Sequence, residues 1–297
     1  MDLKDYCFDG EGALHLDELP HSAREAGVDK EQRPAYEART AENLARIAAL
    51  QEKLYAEGRE GLIVLLQAMD AAGKDSVIKH VMGAVNPQGV DVVSFKQPSK
   101  EELSHDYLWR AACALPARGK IAIFNRSYYE DVLVVRVHRL HKSYQMPARC
   151  LDEDDKDFFE RRHKQIRGFE EYLYDNGYRI VKLFLNVSRE KQKERFLERI
   201  DDEAKNWKFS SSDLKERAFW DEYQRVYADV LRDTASRHAP WYVIPADQKW
   251  YTRWLVSEAV LRALEEIDPH FPELPEGDQA MLSACKRQLL DEDGGEA

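Results

Sequence analysis

Two hydrophobic rhythms alternate along most of this chain. Residues 61–67, GLIVLLQ, are an unbroken apolar run of strand length, the pattern of a strand covered on both faces in a parallel sheet. Four more runs share that character: VDVVSF (90–95), IAIFN (121–125), YRIVKLFLNV (178–187) and WYVIPAD (241–247). Between them the spacing turns helical. Leu44, Ile47, Leu50 and Leu54 predict one long helix that stops at Gly58, ahead of the first run. Val77, Ile78, Val81 and Met82 predict a second that ends near Asn86-Pro87. Further helices are expected over 100–115, 152–175, the SREKQKERFLERI segment, a stretch reaching 235, and 249–267. Strand and helix in alternation predict an α/β fold of three layers, a five-stranded parallel sheet with helices on both faces.

Composition narrows the class. At 297 residues the chain has the length of two average domains, yet the single alternation uses most of it. The expected organisation is an N-terminal extension over 1–34, a core domain over 35–267 and an acidic tail over 268–297. Hydrophobic residues at 43% and charged residues at 33% exclude a disordered or collagenous chain. No apolar run approaches the ~18 residues of a membrane span, and MDLKDYCFDG lacks the order of a signal peptide. A cytoplasmic protein without a membrane partner is expected. Cys7, Cys113, Cys150 and Cys285 lie far apart, as reduced thiols do, and suggest neither a disulfide framework nor a zinc site.

The net charge of -11 argues against a polyanionic partner, nucleic acid included. Its distribution changes that picture. Residues 1–60 and 268–297 are the acidic parts, whereas 61–145 hold more Lys and Arg than Asp and Glu.

That basic stretch begins with the most informative motif, QAMDAAGKDS (67–76), set between the first strand and its helix. A Gly-Lys there lets the amides of Met69, Ala71, Ala72, Gly73, Asp75 and Ser76 face a phosphate, backed by a helix N-terminus and the Lys74 ammonium. Against G-x-x-x-x-G-K-[ST], Ala68 replaces the first Gly and Asp75 the Ser or Thr that usually holds magnesium. Ser76 still offers a hydroxyl, and Asp70 adds a carboxylate inside the loop. Carboxylate and phosphate repel, so their proximity calls for a divalent cation between them. An ordinary strand-to-helix turn with a surface lysine has the same bare pattern.

IFNRSYYEDVLVVRVHRL (123–140) leaves the third strand at the same edge and brings Asn125, Arg126, Ser127, Glu130 and Asp131 beside the loop. In P-loop kinases that strand end supplies a metal-binding carboxylate and an arginine for the transferring group. A capped helix start with solvated charges is the alternative, and Arg136 and His138 also suit a solvated face. Third come Arg195, Arg199, Lys205, Lys208 and Arg217 around NWKFSSSDLKER, which reads as a basic lid or as a self-neutralised charged loop. Ser211 or Ser212 is expected to cap the next helix, with Glu216 as its capping-box partner. No histidine pair has metal-site spacing and no G-x-S-x-G elbow occurs, so neither a zinc centre nor a hydrolase triad is expected.

AMDAAGKDS, VNPQGVDVVSFKQPS, HDYLW, FNRSYYEDVLVVRVH, NWKFSSSDLKERAFWDEY and APWYVIPADQKWYTRW together resemble the polyphosphate kinase 2 family, over about residues 35 to 265. The loop is also similar to that of thymidylate kinases. The resemblance implies a P-loop kinase core with a helical lid over about 200–216, and Mg2+-dependent, reversible phosphoryl transfer between inorganic polyphosphate and nucleotides, AMP to ADP to ATP. MDAAGKD and FNRSxYED look most like the subgroup that takes both mono- and diphosphates. By motif, Asp70 and Lys74 are the expected catalytic pair of the loop, with Asn125 and Arg126 where many members carry Asp-Arg. The missing charge at Asn125 moves the expected magnesium ligands to Asp70 and Glu130. Lys79, Lys96, Arg126, Arg136, Lys208 and Arg217 are candidates to line the polymer path, with Arg199 among the lid cations. A homo-oligomer is expected. An ATP-dependent kinase of nucleoside monophosphates or another small acceptor, and a nucleotide-binding switch without turnover, are the alternatives.

Overall fold

The computed structural model describes residues 2–292. After a two-residue strand β1 (Cys7–Phe8), the five apolar runs form β2 (Gly61–Gln67), β3 (Val90–Ser94), β4 (Ile121–Asn125), β5 (Tyr178–Asn186) and β6 (Trp241–Pro245). Their order across the sheet is β1-β6-β5-β2-β4-β3. The five expected strands are all parallel, and β1 adds an antiparallel edge to β6 through Cys7↔Tyr242 and Phe8↔Trp241. All seven residues of β2 are buried, which explains the absence of any polar alternation in GLIVLLQ.

The longer helices are α1 (Arg33–Glu57), α2 (Lys74–Val81), α3 (Asp155–Asp175), α4 (Arg189–Asp201), α5 (Ser211–Ala218), α6 (Trp220–Thr234), α7 (Lys249–Ile267) and α8 (Glu276–Glu292). α7 packs on β5, β6 and β2 and is in turn covered by α1 and α2, while α3 packs on β5 beside α6. α1 ends where expected, at Gly58, whose φ of +67° is the left-handed conformation that closes a helix.

Two expectations are corrected. The helix over 100–115 is two short pieces, Lys100–Ser104 and Trp109–Cys113. Ser104 bonds back to the Glu101 carbonyl and the Asp106 carboxylate accepts from the Leu108 amide, local bonds that replace the helical ladder between the pieces. The cap of α5 is Ser210 rather than Ser211 or Ser212, and Glu216 bonds elsewhere. Part of the first thirty residues packs into the core. Leu3, Tyr6, Phe8, Leu16, Ala23, Ala26 and Val28 are buried, and Gln248 accepts from the Ala23 amide at 2.7 Å. Beyond the core, α8 carries exposed Met281, Leu282, Leu289 and Leu290, and the last five residues of the tail, 293–297, lie outside the described residues.

This topology positions the site. β2 lies between β4 and β5, so the chain leaves the first half of the sheet and enters the second on opposite sides of one strand. A crevice opens at the carboxyl ends of the strands where such a reversal occurs.

Candidate active site

The loop between β2 and α2 bends sharply at two places. Ala71 has φ +61° and Gly73 φ +111°, the latter a conformation that an L side chain rarely adopts. The carbonyls of this loop are drawn outward. Lys74 Nζ donates to Ala68 O (3.1 Å), Gln192 Nε2 to Asp70 O (2.9 Å), and Arg195 Nη1 to Ala71 O (2.9 Å) and Ala72 O (2.7 Å). With the carbonyls engaged and the first-turn amides of α2 lacking intrahelical acceptors, the helix end of the loop presents a cradle of donors, while the Ala72 amide, expected to face phosphate, bonds Met69 O at 3.3 Å instead.

Across the crevice, Asn125 ends β4 and Arg126 follows with φ +64°. Its amide bonds Leu66 O at 3.0 Å. The guanidinium reaches both strand ends: Nη2 donates to Asp70 Oδ1 at 2.8 Å and Nη1 to Glu130 Oε2 at 3.3 Å. Turning the Gln67 amide lets it donate to Glu130 Oε1 at 3.0 Å and accept from Ser127, so Glu130 is held from two sides. The two carboxylates hold Arg126 firmly charged, its pKa raised by Glu130 above all. Burial, and then Arg126, lower the Lys74 ammonium to about 8.

The two departures from the usual motif meet each other. Asn125 Nδ2 donates to Asp75 Oδ1 at 3.0 Å, so an amide stands where an aspartate would oppose a carboxylate. Asn125→Asp is expected to lower stability by about 0.5–1 kcal/mol at pH 7, and the double variant with Asp75→Asn to restore it. Urea unfolding of the two variants checks this.

Asp70, Arg126 and Glu130 open into a cleft of about 970 Å³. Lys96, Lys100 and Arg110 line it on one side, Asp213, Glu216 and Arg217 on the other. Of the expected polymer-path cations, Lys96, Arg126 and Arg217 thus reach the cleft. Lys79 is exposed on α2 and is not among the lining residues. Arg136 is paired with Asp229 at 2.7 Å, Arg199 with Asp213 at 3.4 Å, and Lys208 lies 4.0 Å from Asp75. Lys205 pairs with Asp202, so the charged segment partly neutralises itself. Arg217 bonds Gln192 and the Arg189 carbonyl. Ser76 is turned to Arg253, 3.1 Å away.

Gln192 and Arg195 are the residues that sequence reasoning did not place. Arg195, read as part of a basic lid, is buried on α4 and also bonds the carbonyls of Ala246 and Asp247. The signal was present: residues 192, 195 and 199 recur at helical spacing and so share one face. Phe95, Tyr128 and Tyr129 are all buried in the core, so none of the three offers an open ring on which a nucleotide base could stack. His138 bonds Glu216 at 2.9 Å, a carboxylate that also accepts from the Tyr223 hydroxyl. Among the described residues no three His, Cys, Asp or Glu side chains cluster as a metal centre.

Residues 30–272 match the family model described as Polyphosphate kinase 2. The chain belongs to the polyphosphate kinase 2 family. It is 46% identical over 246 residues to the ADP-polyphosphate phosphotransferase of Rhodopseudomonas palustris, covering 82% of this chain and 84% of that one. The AMP/ADP-polyphosphate phosphotransferase of Meiothermus ruber is also 46% identical, over 77% of this chain and 80% of that relative. The crystal structure of Polyphosphate Kinase 2 from Arthrobacter aurescens TC1 superposes with a TM-score of 0.83 at 38% identity, over 96% of this chain and 98% of that one. In this chain the loop after β2, the Arg126 bridge and the cleft lie together at one edge of the sheet.

Proposed function

We propose that this chain moves a phosphoryl group between inorganic polyphosphate and the terminal phosphate of AMP or ADP, making ADP and ATP in one direction and lengthening the polymer in the other. The single observation that carries the reading is the Asp70–Arg126–Glu130 bridge beside the donor cradle, in a member of a family whose named relatives act on polyphosphate with AMP or ADP. In the forward step an oxygen of the acceptor phosphate bonds to the terminal phosphorus of the polymer, and the phosphoanhydride bond behind that phosphorus breaks. The polymer leaves one residue shorter. Such a transition state is loose, so the protein contributes position and charge rather than a covalent intermediate. The loop amides and Lys74 hold phosphate oxygens, and Arg126 balances charge as it moves onto the leaving and entering oxygens. An acceptor phosphate is already anionic at neutral pH, so no poised histidine is required.

The residues suit magnesium. Asp70 gives one oxygen to Arg126, Glu130 gives one to Arg126 and the other to the turned Gln67 amide, and both stand half-buried at the cleft. Two carboxylates without a third protein ligand match an ion that arrives with substrate phosphates and keeps several waters. Magnesium would supply further neutralisation of the phosphate oxygens.

The reading extends to an ATP product, a homo-oligomer, a cytoplasmic location and a lid over about 200–216 that closes on bound phosphates above the 35–267 core. No helix among the described residues is long and apolar enough to cross a membrane.

Lys74 gives the reading a pH signature. Its ammonium binds phosphate only while protonated, so kcat/KM for polyphosphate is expected to fall as pH rises through about 8 and to hold steady below. Lys74→Arg moves that decline out of the accessible range; a profile unchanged by Lys74→Arg assigns the decline to another group. Donor replacement tests the function itself. Purified chain with Mg2+, AMP and polyphosphate, and no ATP, is expected to form ADP and then ATP; ADP formed only when ATP is supplied overturns the reading.

A further inference from the structure

Beneath the cleft lies a charged cluster that none of the steps above uses. Lys182, in the middle of β5, and Glu170, on α3, are both fully buried and bonded to each other at 2.7 Å. The second Glu170 oxygen accepts from the hydroxyls of Tyr128 and Tyr129, each at 2.8 Å. Lys182 Nζ adds a bond to Tyr129 Oη at 3.1 Å and one to Thr234 O at 2.8 Å. Both rings are buried too, and they belong to the short helical turn Tyr128–Asp131 that follows Arg126 and contains Glu130.

Stability alone does not account for this pair. Removing two charges from water costs several kcal/mol per ion, and well-packed apolar replacements of a buried pair are often neutral or stabilising. What the pair holds is informative. Arg126 sits at φ +64°, a strained conformation that persists only where its surroundings over-determine it. One clamp is on its N-terminal side, the bond from its own amide to Leu66 O. The other is two and three residues on, where two hydroxyls converge on one buried carboxylate oxygen.

We infer that Glu170 and Lys182 are positioning residues: through the Tyr128 and Tyr129 hydroxyls they fix the turn that aims Arg126 at the transferring phosphoryl group. The inference rests on the phosphoryl-transfer reading. It places the pair on the far side of the turn from substrate, with no contact to phosphate, so it acts on kcat and leaves the binding of either substrate alone. A misplacement of an ångström or less in such a group is worth about 10- to 100-fold in rate.

The test compares wild type with Tyr128→Phe/Tyr129→Phe/Glu170→Leu/Lys182→Met, which removes the whole network and leaves no orphaned charge, and with Tyr128→Phe alone. For both, kcat with AMP and polyphosphate is expected to fall, about 10-fold or more in the quadruple variant, with both KM values within twofold of wild type. In an Arg126→Ala background, Tyr128→Phe is expected to change kcat less than twofold, because its effect passes through the turn that Arg126 no longer uses. A folded quadruple variant with wild-type kcat overturns the inference. If that variant does not fold, Tyr128→Phe decides: unchanged kcat, or a full effect still present without Arg126, overturns the inference. A wild type inactive with polyphosphate, yet binding nucleotide, refutes the phosphoryl-transfer reading instead.

Discussion

Arg126→Ala is expected to lower kcat by about 10³ or more while leaving the fold intact, as a phosphate-stabilising arginine does in phosphoryl transfer. The guanidinium spans the cleft floor from Asp70 to Glu130, so its loss removes the cation and sets two half-buried carboxylates against the incoming phosphates. Arg126→Lys is expected to recover little. One ammonium cannot donate to carboxylates on both strand ends in a fixed fork. Steady-state kinetics with circular dichroism as the fold control checks this; kcat within tenfold of wild type in Arg126→Ala removes the bridge from the mechanism.

The second large effect is on the loop itself. Arg195→Met is expected to cost about 3 kcal/mol or more in urea unfolding, and to abolish most turnover with it. One side chain supplies bonds to four carbonyls, at Ala71, Ala72, Ala246 and Asp247, and each buried acceptor left unpaired costs about 1–3 kcal/mol. Those bonds join the phosphate loop to the segment after β6, so the donor cradle loses its backing when they go. Arg195→Lys is expected to fold more stably than Arg195→Met yet remain well below wild type in rate. A destabilisation under 1 kcal/mol in Arg195→Met contradicts this role.

β2, β4, β5 and β6 were legible because each is covered on both faces and so reads as a largely apolar run; β3, at the edge of the sheet with Asp91 and Val92 exposed, was legible from its valines alone. β1 was not: two residues have no period, and Phe8 acquires its place by pairing with Trp241, more than two hundred residues away. The break inside 100–115 depended on local bonds of Ser104 and Asp106 that compete with a helix of acceptable spacing. Asp70, Lys74, Arg126 and Glu130 came together because they stand at the ends of adjacent strands, a relation that strand–helix alternation implies. The fate of the other cations was not implied. Arg136 chose a carboxylate far along the chain, Asp229, and Arg199 chose Asp213 across the next turn of chain, and ion-pair choice on helix faces is a tertiary matter that local spacing does not encode. Asn125 opposite Asp75 shows the converse: two separate departures from a motif became one hydrogen bond once β4 lay beside β2.

Direct passage of one phosphoryl group from polymer to nucleotide in this cleft has a stoichiometric signature. Time-resolved 31P NMR of wild-type protein with Mg2+, ADP and a polyphosphate of defined length measures it. The expected result is one residue lost from the polymer for each ATP formed, with no orthophosphate released and no ATP formed by Lys74→Ala. ATP appearing without shortening of the polymer, or polymer shortening that yields orthophosphate and no ATP, would contradict it.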